Sequence, residues 1–271
     1  MNNNKTAFRL TLGGLLTVLL CTMAGCMTLA SDNPLGIGKS WKEEVILHDG
    51  NKIIVKRSQD YDPRGHREIG QGPPRSEETL RFTIPETKQD VTWKSDFGRE
   101  LEDNLTLLAL DIFNDTPYIV THPTRCHAYN KWGRPNPPYV CFKYDGTSWQ
   151  RIPFEEIPLE MKEGNVIFGG YSEKWDRERL WNGEPVSSEE IKKINSLGVM
   201  PYLRAIVRDP LDLKKIDCVE MVHKIDGGWL SIDWFTSQPN YKACLDVCGL
   251  KKISPQECPC DRIFNKDNKE Q

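Results

Sequence analysis

Three times along the chain, a short run of apolar and β-branched residues reaches an Asp-Gly pair and resumes beyond it. Residues 41–48 and 52–57 flank Asp49-Gly50, 139–144 and 149–153 flank Asp145-Gly146, and 218–225 and 229–234 flank Asp226-Gly227. Asp-Gly supplies the positive φ of a tight hairpin turn, so each occurrence predicts a pair of antiparallel strands. Each time an Ile or a Trp (Ile53, Trp149, Trp229) falls two or three residues past the Gly, in place to pack across the hairpin. The turns lie roughly 96 and 81 residues apart, too far for propeller blades of about 40–50 residues.

Further strands are predicted at 79–84, 90–93, 105–113 and 118–121, with Asn114-Asp115-Thr116-Pro117 as a turn. Ser187 followed by Glu190 forms a capping box, and Ile191, Ile194 and Leu197 continue at helical spacing, so 188–197 reads as a short helix. A second, weaker helix is read at 172–181. The fold expected is mainly β with a few short helices (α+β): an antiparallel, hairpin-rich sheet, sandwich-like or barrel-like, spanning 41–242. Residues 60–77, with three Gly, three Pro and many charges, read as a surface loop.

The N-terminus has a different plan. Lys5 and Arg9 precede an apolar run over 10–22, which the small residues Ala24 and Gly25 follow. That is the layout of a signal peptide, 1–25, and the run falls short of the roughly 20 residues a spanning helix needs. Met23-Ala24-Gly25-Cys26 resembles the lipobox of bacterial lipoproteins, which implies cleavage before Cys26 and a diacylglycerol thioether on its sulfur. Two or three acyl chains hold a protein durably where one does not, so a lipidated Cys26 needs no transmembrane helix. By the same resemblance, Met27 in place of Asp implies the outer membrane, with the protein facing the periplasm. Residues 26–40, small, polar and Gly/Pro-containing, read as a flexible tether.

Composition excludes more than it selects. Against 36 basic side chains stand 39 acidic ones, and removing Lys5 and Arg9 with the leader widens that excess; a basic nucleic-acid-binding surface is not indicated. A hydrophobic content of 38% with 28% charged is globular. The Gly38-Lys39-Ser40 triplet lacks the upstream Gly of a phosphate-binding loop, since position 33 is Asn, and no H-E-x-x-H, G-x-S-x-G or S-x-x-K occurs in the mature chain. No cofactor is implied, and no catalytic residue is assigned.

Seven cysteines follow Cys26, an odd number, so at least one is not paired within the chain. In an exported protein disulfides are the default. Cys126 and Cys141 enclose a Pro/Gly/Asn-rich loop and are read as one pair; Cys218 and the C-x3-C-x9-C-x-C cluster of the 243–271 tail have no connectivity that sequence fixes. Zinc held by Cys244, Cys248, Cys258 and Cys260 is the alternative for the tail, against a spacing unlike the usual C-x2-C pairs.

The densest unusual segment is 122–153, HPTRCHAYNKWGRPNPPYVCFKYDGTSWQRIP. One reading makes His122, Cys126, His127 and Cys141 metal ligands; an oxidising compartment favours the disulfide instead. Tyr129, Trp132, Arg134 and Tyr139 on a Pro-stiffened loop read as a binding surface, because Trp, Tyr and Arg dominate interface hot spots, or else as aromatics packing inward. Glu155, Glu156 and Glu160 lie close enough for paired-carboxylate chemistry, although acids after a strand are ordinarily solvated.

The stretch YNKWGRPNPPYVCFKYDGTSWQRIPFEEIP resembles a segment of uncharacterised exported proteins of Gram-negative bacteria, a likeness that extends over much of 41–234. That resemblance implies placement in the cell envelope and supplies no catalytic residues. The expectation is therefore a lipid-anchored, non-enzymatic binding module with an envelope protein as partner; an exported hydrolase of envelope polymers and a metal-binding lipoprotein are the alternatives.

Overall fold

The computed structural model describes residues 38–61, 75–95, 105–168, 183–196 and 200–264. The signal peptide, Cys26, most of the tether, the middle of the 60–77 loop and the 172–181 helix lie outside them. All described residues belong to one unit, Ile37–Gln271.

Alternation of apolar and polar residues writes the first sheet. Strands β1 (Gly38–Ile46), β2 (Lys52–Tyr61), β3 (Arg75–Thr83) and β4 (Asp90–Lys94) pair antiparallel in sequence, and β9 (Pro185–Val186) adds parallel to β1 at the far edge. Val45, Val55, Leu80, Phe82, Val91 and Trp93 fall on one buried face. The second sheet is an antiparallel meander of β5 (Leu105–Phe113), β6 (Thr116–Pro123), β7 (Val140–Tyr144) and β8 (Trp149–Ile152). Its Leu107, Leu110, Ile112 and Ile119 meet the first sheet's apolar face in one core. The two sheets form an open sandwich and do not close into a barrel, which settles the two architectures left open by the sequence.

Strand β5 reads LTLLALDIF with almost no polar alternation because it is buried on both sides. A bulge between Leu107 and Ala109 turns Leu108 and Ala109 to the opposite face. There they pack with Ile157, Met161, Leu203 and Ile206, the last two on or just after the short helix α3 (Pro201–Arg204). Asn165 ties the sheets together: its side-chain amide donates to the carbonyls of Ile46 (2.9 Å) and Leu110 (2.8 Å), and its Oδ1 accepts from Leu110 N (3.0 Å).

The Asp-Gly turns form as expected. Gly50 and Gly146 have φ of +86° and +98°, which only glycine adopts without strain. Across these hairpins Ile53 pairs with Val45, Trp149 with Tyr144 and Trp229 with His223. The β5–β6 turn places both Asn114 and Asp115 at positive φ, the type I′ pattern. Helix α2 (Ser188–Ser196) starts at the capping box, with Glu190 N–H reaching Ser187 Oγ (3.3 Å) and Ser187 N–H reaching Glu190 Oε2 (3.2 Å).

Three boundaries differ from expectation. β1 starts at Gly38, so this strand takes in the last three residues of the stretch read as tether. The third hairpin is short, β10 (Met221–His223) with β11 (Trp229–Ser231), and helix α4 (Asp233–Thr236) replaces the end of its second strand. Ser231 Oγ accepts from Asp233 N–H (3.2 Å), a local bond that favours a helical start over a continued ladder. The Cys-rich tail, 243–271, packs with residues that precede it. Its helices α5 (Tyr241–Leu250) and α6 (Cys260–Ile263) share a small core with Val222 and Phe235, so that packing unit begins at β10.

One polar group sits deep in the sandwich. Arg57, Glu43 and Glu78 are fully buried; Arg57 Nη1 donates to Glu43 Oε1 (2.8 Å) and to the Ile167 carbonyl (2.6 Å), and its other nitrogens face Glu78. Desolvation pushes the Glu43 carboxyl up from its ordinary range, opposed by Arg57 and by N–H donors from Trp41 and Ile167.

Candidate functional cleft

Helix α1 (Cys126–Lys131) leaves the end of β6 and stops at Gly133 and Arg134, both at positive φ. The Arg134 N–H returns to the Tyr129 carbonyl (2.8 Å) and the Gly133 N–H to that of Asn130 (3.0 Å), a left-handed C-terminal cap. This turn lays the Arg134 guanidinium over the Tyr129 ring at 5.0 Å. Its Nη1 donates to Asn130 Oδ1 (3.1 Å) and its Nη2 to the Cys218 carbonyl (3.0 Å), leaving its other N–H groups for a ligand.

Asn130 also stitches α1 to the chain before and within β10. Its Oδ1 accepts from Met221 N–H (2.8 Å), and its Nδ2 donates to the carbonyls of Cys126 (2.8 Å) and Val219 (2.9 Å). A disulfide between Cys126 and Cys218 locks the same junction. Opposite Arg134, the 255–262 segment is stapled by Cys244–Cys260 and Cys248–Cys258. Between these walls lies a cleft of about 570 Å3, with Glu220 to Val222 as floor and Glu257, Cys258, Asp261 and Arg262 on the far side. Arg262 is ion-paired with Glu220, and Asp261 accepts from the Tyr241 hydroxyl (2.8 Å).

The cysteine pairing expected between Cys126 and Cys141 is corrected. Cys126 bonds Cys218, 92 residues on, and Cys141 is a buried free thiol, the unpaired one among the described residues. The reason is strand alternation: β7 directs Cys141 into the core beside Val120 and Ile157, whereas Cys126 opens α1 on the side that meets the 216–219 segment. Burial pushes the Cys141 thiol up to about 12. The tail cysteines, for which zinc was the alternative to disulfides, are paired in two disulfides.

The aromatic surface read on this loop divides. Arg134 lines the cleft, but Tyr129 lies buried beneath it, its hydroxyl without a hydrogen-bond partner among the described residues. Tyr139 packs inward; its hydroxyl donates to the Tyr202 carbonyl (2.6 Å) and accepts from Val207 N–H (3.1 Å), and burial pushes it to about 12. Trp132 turns to the second sheet, where Arg151 stacks on it at 5.2 Å. The set His122, Cys126, His127 and Cys141 is dispersed: His122 bonds the Pro138 carbonyl and His127 stacks on Trp229. Glu155, Glu156 and Glu160 are exposed, as solvated acids are.

Glu257, Asp261 and Arg262 on the far wall and Glu220 on the floor were not singled out by sequence. The available signal was the Cys-rich tail itself, since closely spaced cysteines in an exported chain mark a rigid surface element. Comparison with known proteins finds no family model, no curated protein and no solved structure that matches this chain.

Proposed function

We propose that this protein is an exported, lipid-anchored envelope protein that works as a binding module, with the α1/C-terminal cleft as its ligand site. One observation carries the reading: Arg134 is held in place by Asn130, Cys218 and Tyr129 at the wall of a cleft whose sides are covalently stapled. A guanidinium fixed before binding loses little entropy on complex formation, which is how rigid sites gain affinity. Two of the cleft carboxylates are already committed, Glu220 to Arg262 and Asp261 to Tyr241, which suits recognition of a polar peptide better than acid–base chemistry.

Three disulfides in the described chain support an oxidising compartment, and the N-terminal signal and Cys26 supply export and anchoring in this reading. No helix among the described residues is long and apolar enough to cross a membrane. The partner is an envelope protein presenting a polar, acid-bearing segment to Arg134. Crosslinking on intact membranes, followed by capture of the full chain, tests this against Arg134→Ala and a control at the exposed Lys242→Ala. A specific partner lost with the first variant and kept with the second supports the cleft, provided near-ultraviolet circular dichroism shows both variants folded. An unchanged partner list overturns it. Intact mass of the membrane-extracted protein and of Cys26→Ser tests the anchor separately.

A further inference from the structure

The two C-terminal disulfides are in contact with each other. Cys260 Sγ lies 3.5 Å from Cys258 Sγ and 3.7 Å from Cys248 Sγ, although its own bond is to Cys244. Sulfurs of Cys248, Cys258 and Cys260 all fall within 4.8 Å of one another. Cys244, Cys248 and Cys260 are buried in the small core, whereas Cys258 is partly exposed and lines the cleft. Cys258 is therefore the member of the four-cysteine cluster that lines the cleft, together with Arg134 and Arg262.

We propose that the cleft is a thiol–disulfide exchange site, with Cys258 as the sulfur attacked and the Cys244–Cys260 bond as a second acceptor behind it. The substrate class is a polypeptide with two nearby thiols. This goes beyond the binding reading: it uses the same cleft but needs neither a lipid anchor nor a stable partner.

The chemistry balances within the cluster. A substrate thiolate attacks Cys258 Sγ, the Cys248–Cys258 bond breaks, and the electron pair leaves on Cys248 Sγ. Cys248, 3.7 Å from Cys260 Sγ, then attacks that sulfur, and the pair leaves on Cys244, which takes up a proton. The products are a mixed disulfide at Cys258, a new Cys248–Cys260 bond and a Cys244 thiol. The substrate's second thiolate attacks its own half of the mixed disulfide, releasing Cys258 as a thiol. In sum the substrate dithiol loses two electrons and two protons, and the protein gains them. Cys126–Cys218 differs in kind: Cys141, the free thiol among the described residues, is buried in another core, so opening that bond has no onward step.

The test exposes the oxidised full chain to reduced glutathione, quenches with acid and maps linkages by peptide mass. Glutathione on Cys258 together with a Cys248–Cys260 peptide is the expected result. Glutathione on Cys248 in place of Cys258, or opening and reclosure with no rearranged linkage, overturns the proposal and leaves the bonds as staples. A second measurement uses Cys244→Ser/Cys260→Ser: a reduced dithiol peptide should be oxidised to about half the wild-type stoichiometry, one disulfide per chain against two. Equal stoichiometry overturns the second acceptor, and if the variant does not fold, the wild-type linkage map decides alone. Arg134→Ala separates the two readings: a partner list unchanged by this variant beside a rearranged linkage overturns the binding module and keeps the exchange site, whereas a partner lost with this variant and no rearranged linkage in the wild type keeps the binding module and overturns the exchange site.

Discussion

His48 and Asp111 join the two sheets of the sandwich. His48 sits at the mouth of the first Asp-Gly turn and Asp111 in the middle of β5; Asp111 accepts from the His48 backbone N–H (3.0 Å to Oδ2) and from its Nδ1 (2.8 Å), while Phe113 stacks on the ring at 3.8 Å. Asp111 Oδ1 also accepts from Ile112 N–H (2.8 Å), so one nearly buried carboxylate satisfies two backbone donors and an imidazole. Asp111→Ala strips partners from buried N–H groups and should cost about 1–3 kcal/mol. His48→Ala, which removes only the partly exposed ring, should cost less. Urea unfolding of the two variants measures the difference; equal losses would show that Asp111 does not anchor the turn through its backbone contacts.

The Arg57 cluster makes a prediction of opposite signs for two kinds of change. Arg57→Ala removes the guanidinium that Glu43 and Glu78 share in the core and should destabilise by about 3–5 kcal/mol. Replacing all three with apolar residues of similar volume should be neutral or stabilising, because the desolvation of three charges disappears with them. Denaturant midpoints at equal slope distinguish the outcomes, and a triple variant weaker than Arg57→Ala would overturn this account.

Local chemistry made part of this molecule readable. The Asp-Gly turns, the capping box at Ser187 and Glu190 and the apolar run of β5 each rest on contacts within a few residues, and each stands where the sequence placed it. Asp111, a lone acid in LTLLALDIF, was a visible sign of a buried partner, but not of which one. What sequence could not supply was long-range pairing. Cys126 meets Cys218 because of where α1 and the 216–219 segment are packed, and nearness in the chain pointed instead to Cys141. The cleft suffered the same way: Arg134 was chosen for its type, yet Glu220 and Arg262, which face it, come from segments separated by many residues. Tyr129 and Tyr139 were attractive as contact residues, and their bulk is spent on the interior.

The cysteine map can be checked without a partner. Cys126→Ser/Cys218→Ser releases a loop of 92 residues and should lower stability by about 4–5 kcal/mol on the chain-entropy model. Cys141→Ala, which only trims a buried side chain, should cost about 1 kcal/mol. Iodoacetamide at pH 8 should spare Cys141 in the native protein, since its thiol is buried and pushed up to about 12, and should modify it after unfolding without reductant. Rapid native labelling at Cys141, or labelling of Cys126 before reduction, would contradict the pairing.

His122 gives the chain a predictable response to acid. Its ring is enclosed against Tyr202, with centroids 5.8 Å apart, and Nδ1 donates to the Pro138 carbonyl at 2.9 Å. Burial holds its pKa below the ordinary value of 6.5, only partly offset by that hydrogen bond. The folded ring is therefore neutral where the unfolded one has begun to take up a proton. Below about pH 6.5 the unfolded chain binds more protons at this site, so stability falls as the pH is lowered and stops falling only once the folded ring also protonates. His122→Asn keeps a side-chain donor for Pro138 and removes the titration. Urea unfolding between pH 5 and 8 should show the wild-type advantage over this variant shrinking toward low pH, with the other histidines cancelling in the difference. A difference that grows on acidification would mean that the native fold welcomes the charge, and the burial argument for His122 would fail.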